Sequence, residues 1–120
     1  MDDPAPFSID VSRVGDALLV VPAGEIDIAT VPAVREALSQ RPADADLLVL
    51  DLSRVDFMDT SGLQLLVEQM RDCESGRHRL AVVRGPLAVQ RLLDIAGLTA
   101  SLQLVDTAEE ALGNGKAGSP

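Results

Sequence analysis

The sequence predicts an α/β fold: one domain with a mixed, mostly parallel sheet and covering helices, in the order β-β-α-β-α-β-α-β-α. Three observations lead there. The runs "LLVLDL" (47–52) and "RLAVV" (79–83) are continuously apolar rather than alternating, as strands buried on both faces are. Between and after them lie longer segments whose apolar residues recur at spacings of three and four, the mark of amphipathic helices. Strands and helices then alternate after an opening pair of strands, as in successive βαβ units.

"FSIDVSRV" (7–14) alternates, with Phe7, Ile9 and Val11 on one parity and Ser8, Asp10 and Ser12 on the other, which predicts a half-buried strand. Gly15-Asp16 makes a turn into "ALLVVPAG" (17–24), so the first two strands form a hairpin. After "GEID" (24–27), Thr30 is the expected N-cap of a helix with Pro32 in its first turn. Val31, Val34 and Leu38 carry that helix to about Gln40. "RPADAD" (41–46) is a loop before the buried strand at 47–52. A second helix runs from about Ser61 to Glu74, with Leu63, Leu66, Val67 and Met70 as its apolar stripe and Gly76 at its end. After the strand at 79–83, Pro86 opens a helix marked by Val89, Leu92, Leu93 and Ala96, and Gly97 closes it. "SLQLV" (101–105) is the last strand. Thr107 with Glu110 forms a capping box for a short final helix. The expected division is an arm at 1–6, a domain at 7–112 and a flexible tail, "GNGKAGSP", at 113–120.

Composition narrows the function. The chain has 120 residues, 47% of them hydrophobic, and Phe7 and Phe57 are its only aromatic rings of the Phe, Tyr and Trp type, so the core is aliphatic. A chain of this size buries roughly two-thirds of its unfolded surface, enough for a core without staples. The net charge of −9 argues against a nucleic-acid or anionic-membrane surface, because such surfaces are built from Lys and Arg. One cysteine (Cys73) and one histidine (His78) allow no internal disulfide and no Cys/His zinc site. Cys73 falls on a helical apolar face and reads as an inert thiol, and His78, in "SGRHR", reads as solvated. "MDDPAPF" has neither the basic start nor the apolar run of a signal peptide, and no apolar run approaches the ~20 residues of a membrane span. A cytoplasmic protein with no cofactor is expected.

The chemistry concentrates in "DFMDTSGLQLLVE" (56–68), where Asp59, Thr60, Ser61 and Gly62 sit between an apolar run and an amphipathic one. Three readings stand. Ser61, with Gln64 three residues on, fits a helix capping box and nothing more. A nucleophile would need a base, and neither a G-x-S-x-G elbow nor a neighbouring histidine is present; no phosphate-cradling glycine motif occurs elsewhere, so an enzyme is not expected. A phosphoacceptor is the third reading, because a helix N-terminus accepts added negative charge while roughly −1.5 to −2 charges transform the surface there.

"LVLDLSRVDFMDTSGLQLLVE" resembles the signature of STAS domains, and more narrowly that of bacterial anti-sigma factor antagonists. "GEID" (24–27) resembles the family's turn after its second strand, "RGPLAVQRLLDIAGL" (84–98) resembles the segment entering its third helix, and the element order matches over 7–112. The resemblance implies a partner-switching protein. Unphosphorylated, it binds a kinase-type anti-sigma factor and frees a sigma factor; that serine kinase then phosphorylates the hydroxyl after the motif aspartate, and a PP2C-type phosphatase resets the cycle. Carried onto this chain, the acceptor is Thr60, with Ser61 as runner-up. Asp27, Thr30, Asp59, Ser61 and Gly62 lie on the docking face. The commoner family pattern has Ser where this chain has Thr60. That difference leaves open slow modification of Thr60, modification of Ser61, or a constitutive antagonist. A different class remains as well, a constitutive STAS adaptor subunit of a transport or scaffold complex.

Overall fold

The computed structural model describes residues 6–76 and 78–114. A hairpin of β1 (Ser8–Val14) and β2 (Ala17–Ile26) comes first, turning at Gly15 with φ 59°. Helix α1 (Val31–Leu38), β3 (Leu47–Asp51), β4 (Val55–Met58) and α2 (Thr60–Gly76) follow. The chain then forms β5 (Arg79–Val83), α3 (Leu87–Ile95), β6 (Gln103–Val105) and α4 (Ala108–Asn114). The strand order is β1-β2-β3-β5-β6, antiparallel between β1 and β2 and parallel elsewhere. This is the mixed, mostly parallel sheet that the sequence predicts.

The continuous apolar runs are buried on both faces for a visible reason. Leu18, Val20, Leu48, Leu50, Leu80 and Val82 meet α1, α2 and α3 in the larger core. The alternate residues Ala17, Leu47, Val49, Ala81 and Val83 meet Ala111 of α4 in the smaller one. Half of the expected capping box forms at α4: the Glu110 N–H donates to Thr107 Oγ1 at 3.0 Å, while Glu110 Oε1 accepts the Asp106 N–H, one residue before the cap, at 3.0 Å. Arms and tail are largely outside the described residues: this holds for 1–5 of the expected arm and 115–120 of the expected tail. Gly113 and Asn114, assigned to that tail, belong to α4. Among the described residues no helix is long and apolar enough to cross a membrane.

Four expectations are corrected, apart from shifts at the ends of elements. First, β4 is an extra strand, so the order is β-β-α-β-β-α-β-α-β-α. β3 runs beside Ala17–Val20 of β2 and β4 beside Gly24–Ile26, as two pieces of one edge. The buried Asp51 carboxylate accepts the Ser53 N–H at 2.8 Å and breaks the strand between them. Second, "GEID" is not a turn, because Gly24, Glu25 and Ile26 extend β2 to pair with β4. Third, the face of α2 that is fully buried is Gly62, Leu65, Leu66 and Gln69. Leu63 and Met70 of the expected stripe only flank it, since the helix seats its glycine, the residue that allows the closest approach, on the sheet. α1 also ends at Leu38 and β6 starts at Gln103, each short of its expected span.

Fourth, His78 is buried at 9% exposure, with no hydrogen-bond partner for Nδ1 among the described residues. Burial, and next the Arg41 guanidinium, hold its pKa below the ordinary 6.5, with Asp72 opposing. The neutral ring is therefore the form the fold favours. Its stabilisation is complete above about pH 6.5 and is lost as pH falls through the folded-state pKa. Thermal melts between about pH 7.5 and pH 5 are expected to show this loss, and His78→Leu should flatten it. Leucine also removes an unpartnered buried nitrogen, so stability at neutral pH should hold or rise by about 1 kcal/mol. An unchanged slope in the variant would assign the acid sensitivity to carboxylates instead. Cys73 packs half-buried against the core and donates to the His78 carbonyl, and burial pushes its thiol pKa up, as an inert thiol requires.

Candidate functional site

The parallel strands end together at one pole of the sheet, and the loops leaving them carry the predicted residues. Ile26 of β2 pairs with Met58 of β4, so Asp27 and Asp59 step off neighbouring strands side by side. The Asp59 N–H donates to the Ile26 carbonyl at 3.2 Å and ties the two exits together. Each aspartate then organises the chain that follows it. Asp27 Oδ1 accepts the N–H groups of Ala29 and Thr30 at 2.9 and 3.1 Å, an Asx turn leading into α1. Thr30 occupies the N-cap position, but its hydroxyl makes no cap bond. Instead Thr30 Oγ1 donates to the Glu25 carbonyl at 2.7 Å and accepts the Asp27 N–H at 2.9 Å, strapping the loop to the end of β2.

Asp59, not Ser61, is the cap of α2. Its Oδ1 accepts the Ser61 N–H at 2.8 Å, the N-cap to N2 bond. Its carbonyl accepts the first helical bonds, from Gly62 and Leu63 at 3.0 and 3.4 Å. Thr60 and Ser61 are thus the first two helical residues, and the expected capping box from Ser61 to Gln64 does not form. Aspartate wins because it lies two residues nearer the strand exit, directly after Met58, where its short side chain reaches the N2 amide. Thr60 is exposed and Ser61 half-buried, so the more accessible hydroxyl is that of Thr60. Gly62 is buried on the other side of the turn, against Met58 and Ile26.

All six predicted residues, Asp27, Thr30, Asp59, Thr60, Ser61 and Gly62, therefore gather at one pole, five presenting polar groups and Gly62 seating the helix. Sequence reasoning missed the apolar part of the same surface. Ile28 is 80% exposed, Leu87 67% and Phe57 49%, and all three leave or flank the same strand ends. Two of them carried a signal: Ile28 precedes the helix stripe of α1, and Leu87 falls off the Val89/Leu93 stripe of α3.

Chemically, this pole is suited to binding and to charge-sensitive modification. Free amides of the first turn of α2 favour an anion. The one histidine lies past the far end of α2, 17 residues and so about 25 Å away, out of reach as a base for either hydroxyl. Behind the loops, α1 and α2 are locked by a two-pronged bridge, Arg35 Nε to Glu68 Oε1 at 3.0 Å and Nη2 to Oε2 at 3.2 Å.

Comparison with known proteins gives the family and the fold. The family model of the STAS domain matches residues 8–111. The anti-sigma-B factor antagonist of Listeria monocytogenes serovar 1/2a is 30% identical over 110 residues, covering 90% of this chain and 96% of that protein. The anti-sigma-F factor antagonist RsfB of Mycobacterium tuberculosis is 34% identical over 112 residues, covering 90% of each. Among solved structures, an anti-sigma factor antagonist from Mycobacterium paratuberculosis matches with a TM-score of 0.80 at 31% identity, over 95% of this chain and 97% of its own. This chain belongs to the STAS domain family, and the relatives named above are anti-sigma factor antagonists.

Proposed function

We propose that this chain is a phosphorylation-controlled antagonist of an anti-sigma factor. Unphosphorylated, it docks a kinase-type anti-sigma factor through the pole formed by Asp27, Thr30, Asp59 and Ser61, with Ile28, Phe57 and Leu87 supplying apolar contact. Gly62, expected on the docking face, is buried and serves that pole only by seating α2. The partner transfers phosphate to Thr60, the complex dissociates, and a PP2C-type phosphatase restores the hydroxyl. The chain is the switch and its partners are the catalysts. One observation carries the reading: Thr60 is an exposed hydroxyl-bearing residue at the first position of α2, next to the capping Asp59, whose strand exit is tied to that of Asp27. A phosphate is tolerated there by the helix, whose amides and dipole favour it, and is intolerable to a docked partner.

The test is phosphopeptide mapping after incubation with ATP and an extract of the source cells, run beside Thr60→Ala and Ser61→Ala. Phosphate on Thr60, lost only in Thr60→Ala, is the expected result. Phosphate on Ser61 would keep the switch and move its acceptor. No phosphate, from an extract that modifies another antagonist, would favour the constitutive adaptor.

A further inference from the structure

β1 is an outer strand with its free edge unguarded among the described residues. It pairs with β2 in unbroken register over seven residues, with no bulge and no proline or lysine, the devices that usually blunt an edge. Six of its seven residues are exposed, and Val11 is 38% exposed, so little packing surrounds it.

The direction of its backbone groups follows from β2. The Asp16 carbonyl accepts from Leu47 at 3.3 Å and the Gly24 N–H donates to Arg54 at 3.1 Å, so even-numbered groups at both ends of the shared stretch point away from β1. Pro22, which has no N–H, sits at an even position in the gap between the β3 and β4 pairings, where none is needed. Odd-numbered Ala17, Leu19, Val21 and Ala23 therefore bond β1, and their partners are Val14, Ser12, Asp10 and Ser8. What remains, the N–H and C=O of Ile9, Val11 and Arg13, points outward.

We infer that this chain forms a two-fold dimer by antiparallel pairing of β1 with β1 of a second copy, centred on Val11. In that register Val11 faces Val11 and Ile9 faces Arg13, so every outward group of one strand meets one of the other. This is the self-complementary contact that two-fold symmetry requires. Asp10 then faces Ser12 of the second copy, a hydroxyl donor for a carboxylate. Sliding by one pairing step toward the N-terminus would set Asp10 against Asp10, and sliding the other way strands Ile9 beside the turn. Charge and hydrogen-bond count thus select one register. The contact is small, so the dimer is weak and forms at high concentration.

Sedimentation from about 10 μM to about 1 mM should show the mass rising from one chain toward two. Over the same range, amide exchange should slow at Ile9, Val11 and Arg13, while Asp10 and Ser12, already bonded to β2, stay constant. Val11→Pro removes an outward N–H and no bond to β2, and should weaken association at least tenfold with the monomer still folded. Val11→Lys, which sets like charges at the two-fold axis, should do the same should proline disturb the strand. A single-chain mass throughout overturns the inference, as does a dimer that both variants form equally well. Protection of these three amides only when another protein is added would assign the edge to a different partner and overturn the second copy as its occupant.

Discussion

Thr60→Asp is expected to lower affinity for the anti-sigma partner about thirty-fold or more, while Thr60→Ala binds as the parent does and cannot be switched off at that position. A like charge or an unpaired charge in a docked interface costs several kcal/mol, and 2 kcal/mol is already about thirty-fold. The informative feature is the opposite sign in the isolated chain. Thr60 is the first residue of α2, where an acidic side chain is favoured by about 0.3–1 kcal/mol, so the Thr60→Asp melt should be unchanged or slightly raised. Binding falls while stability does not. Calorimetric titration with the purified partner, beside thermal melts, reads both. Equal binding by the aspartate variant would remove charge as the switch, and a large loss of stability would return Thr60 to a structural role. Asp59→Ala is the necessary contrast: it deletes the cap of α2 and should cost about 1 kcal/mol on its own, so any binding loss there has to be read against its melt.

The legible parts of this fold are those in which one periodicity spans a whole element. The runs at 47–52 and 79–83 showed their burial because helices cover both sheet faces, and the spacing of Val89 and Leu93 marked the buried side of α3. The hidden parts are those where a short polar signal carries a tertiary role. β4 is four residues long and follows an Asx turn, so "DLSRVDF" reads as loop although Val55 and Met58 are buried. Gly24 and Ile26 extend β2 only because β4 is there to pair with them, which no local pattern reveals. The burial of His78 depends on Arg41 and the end of α2 closing over it, contacts made across the fold.

The site was legible in its residues and misread in its bonding. Aspartate and serine are equal candidates for a cap, and the choice between Asp59 and Ser61 turns on where the strand ends. Without β4, the local pattern sets the cap at Ser61, two residues late. Its correction does not displace Thr60, because the helix now starts at that residue and leaves its side chain outside. Asp27 repeats the device on the neighbouring strand, so two aspartates in matching register set the two loops of the pole.

Gly62 joins that pole to the core, and substitution there should have the larger effect on stability. In an ordinary helix interior Gly→Ala gains about 1 kcal/mol. Here a Cβ would lie 2.4 Å from Met58 Cγ, 2.8 Å from its Sδ and 3.2 Å from Ile26 Cγ2. Met58 Cγ is near the root of its side chain and Met58 itself is buried, so it cannot swing aside without moving β4. Overpacking of this kind costs about 1–3 kcal/mol, which outweighs the helix gain. Gly62→Ala should therefore destabilise by about 1 kcal/mol and Gly62→Val, bulkier and β-branched, by about 3 kcal/mol. The mechanism is separable by a double-mutant cycle with Met58→Ala. Each single change destabilises, one by crowding and the other by a cavity, and the pair should cost at least 1 kcal/mol less than the sum. Strict additivity in chemical denaturation would mean that the glycine serves the helix start itself and not its seat against Met58. The coupled outcome also predicts a functional trace, since β4 carries Asp59 at its end: Gly62→Ala, still folded, should weaken partner binding, and Met58→Ala should restore part of it.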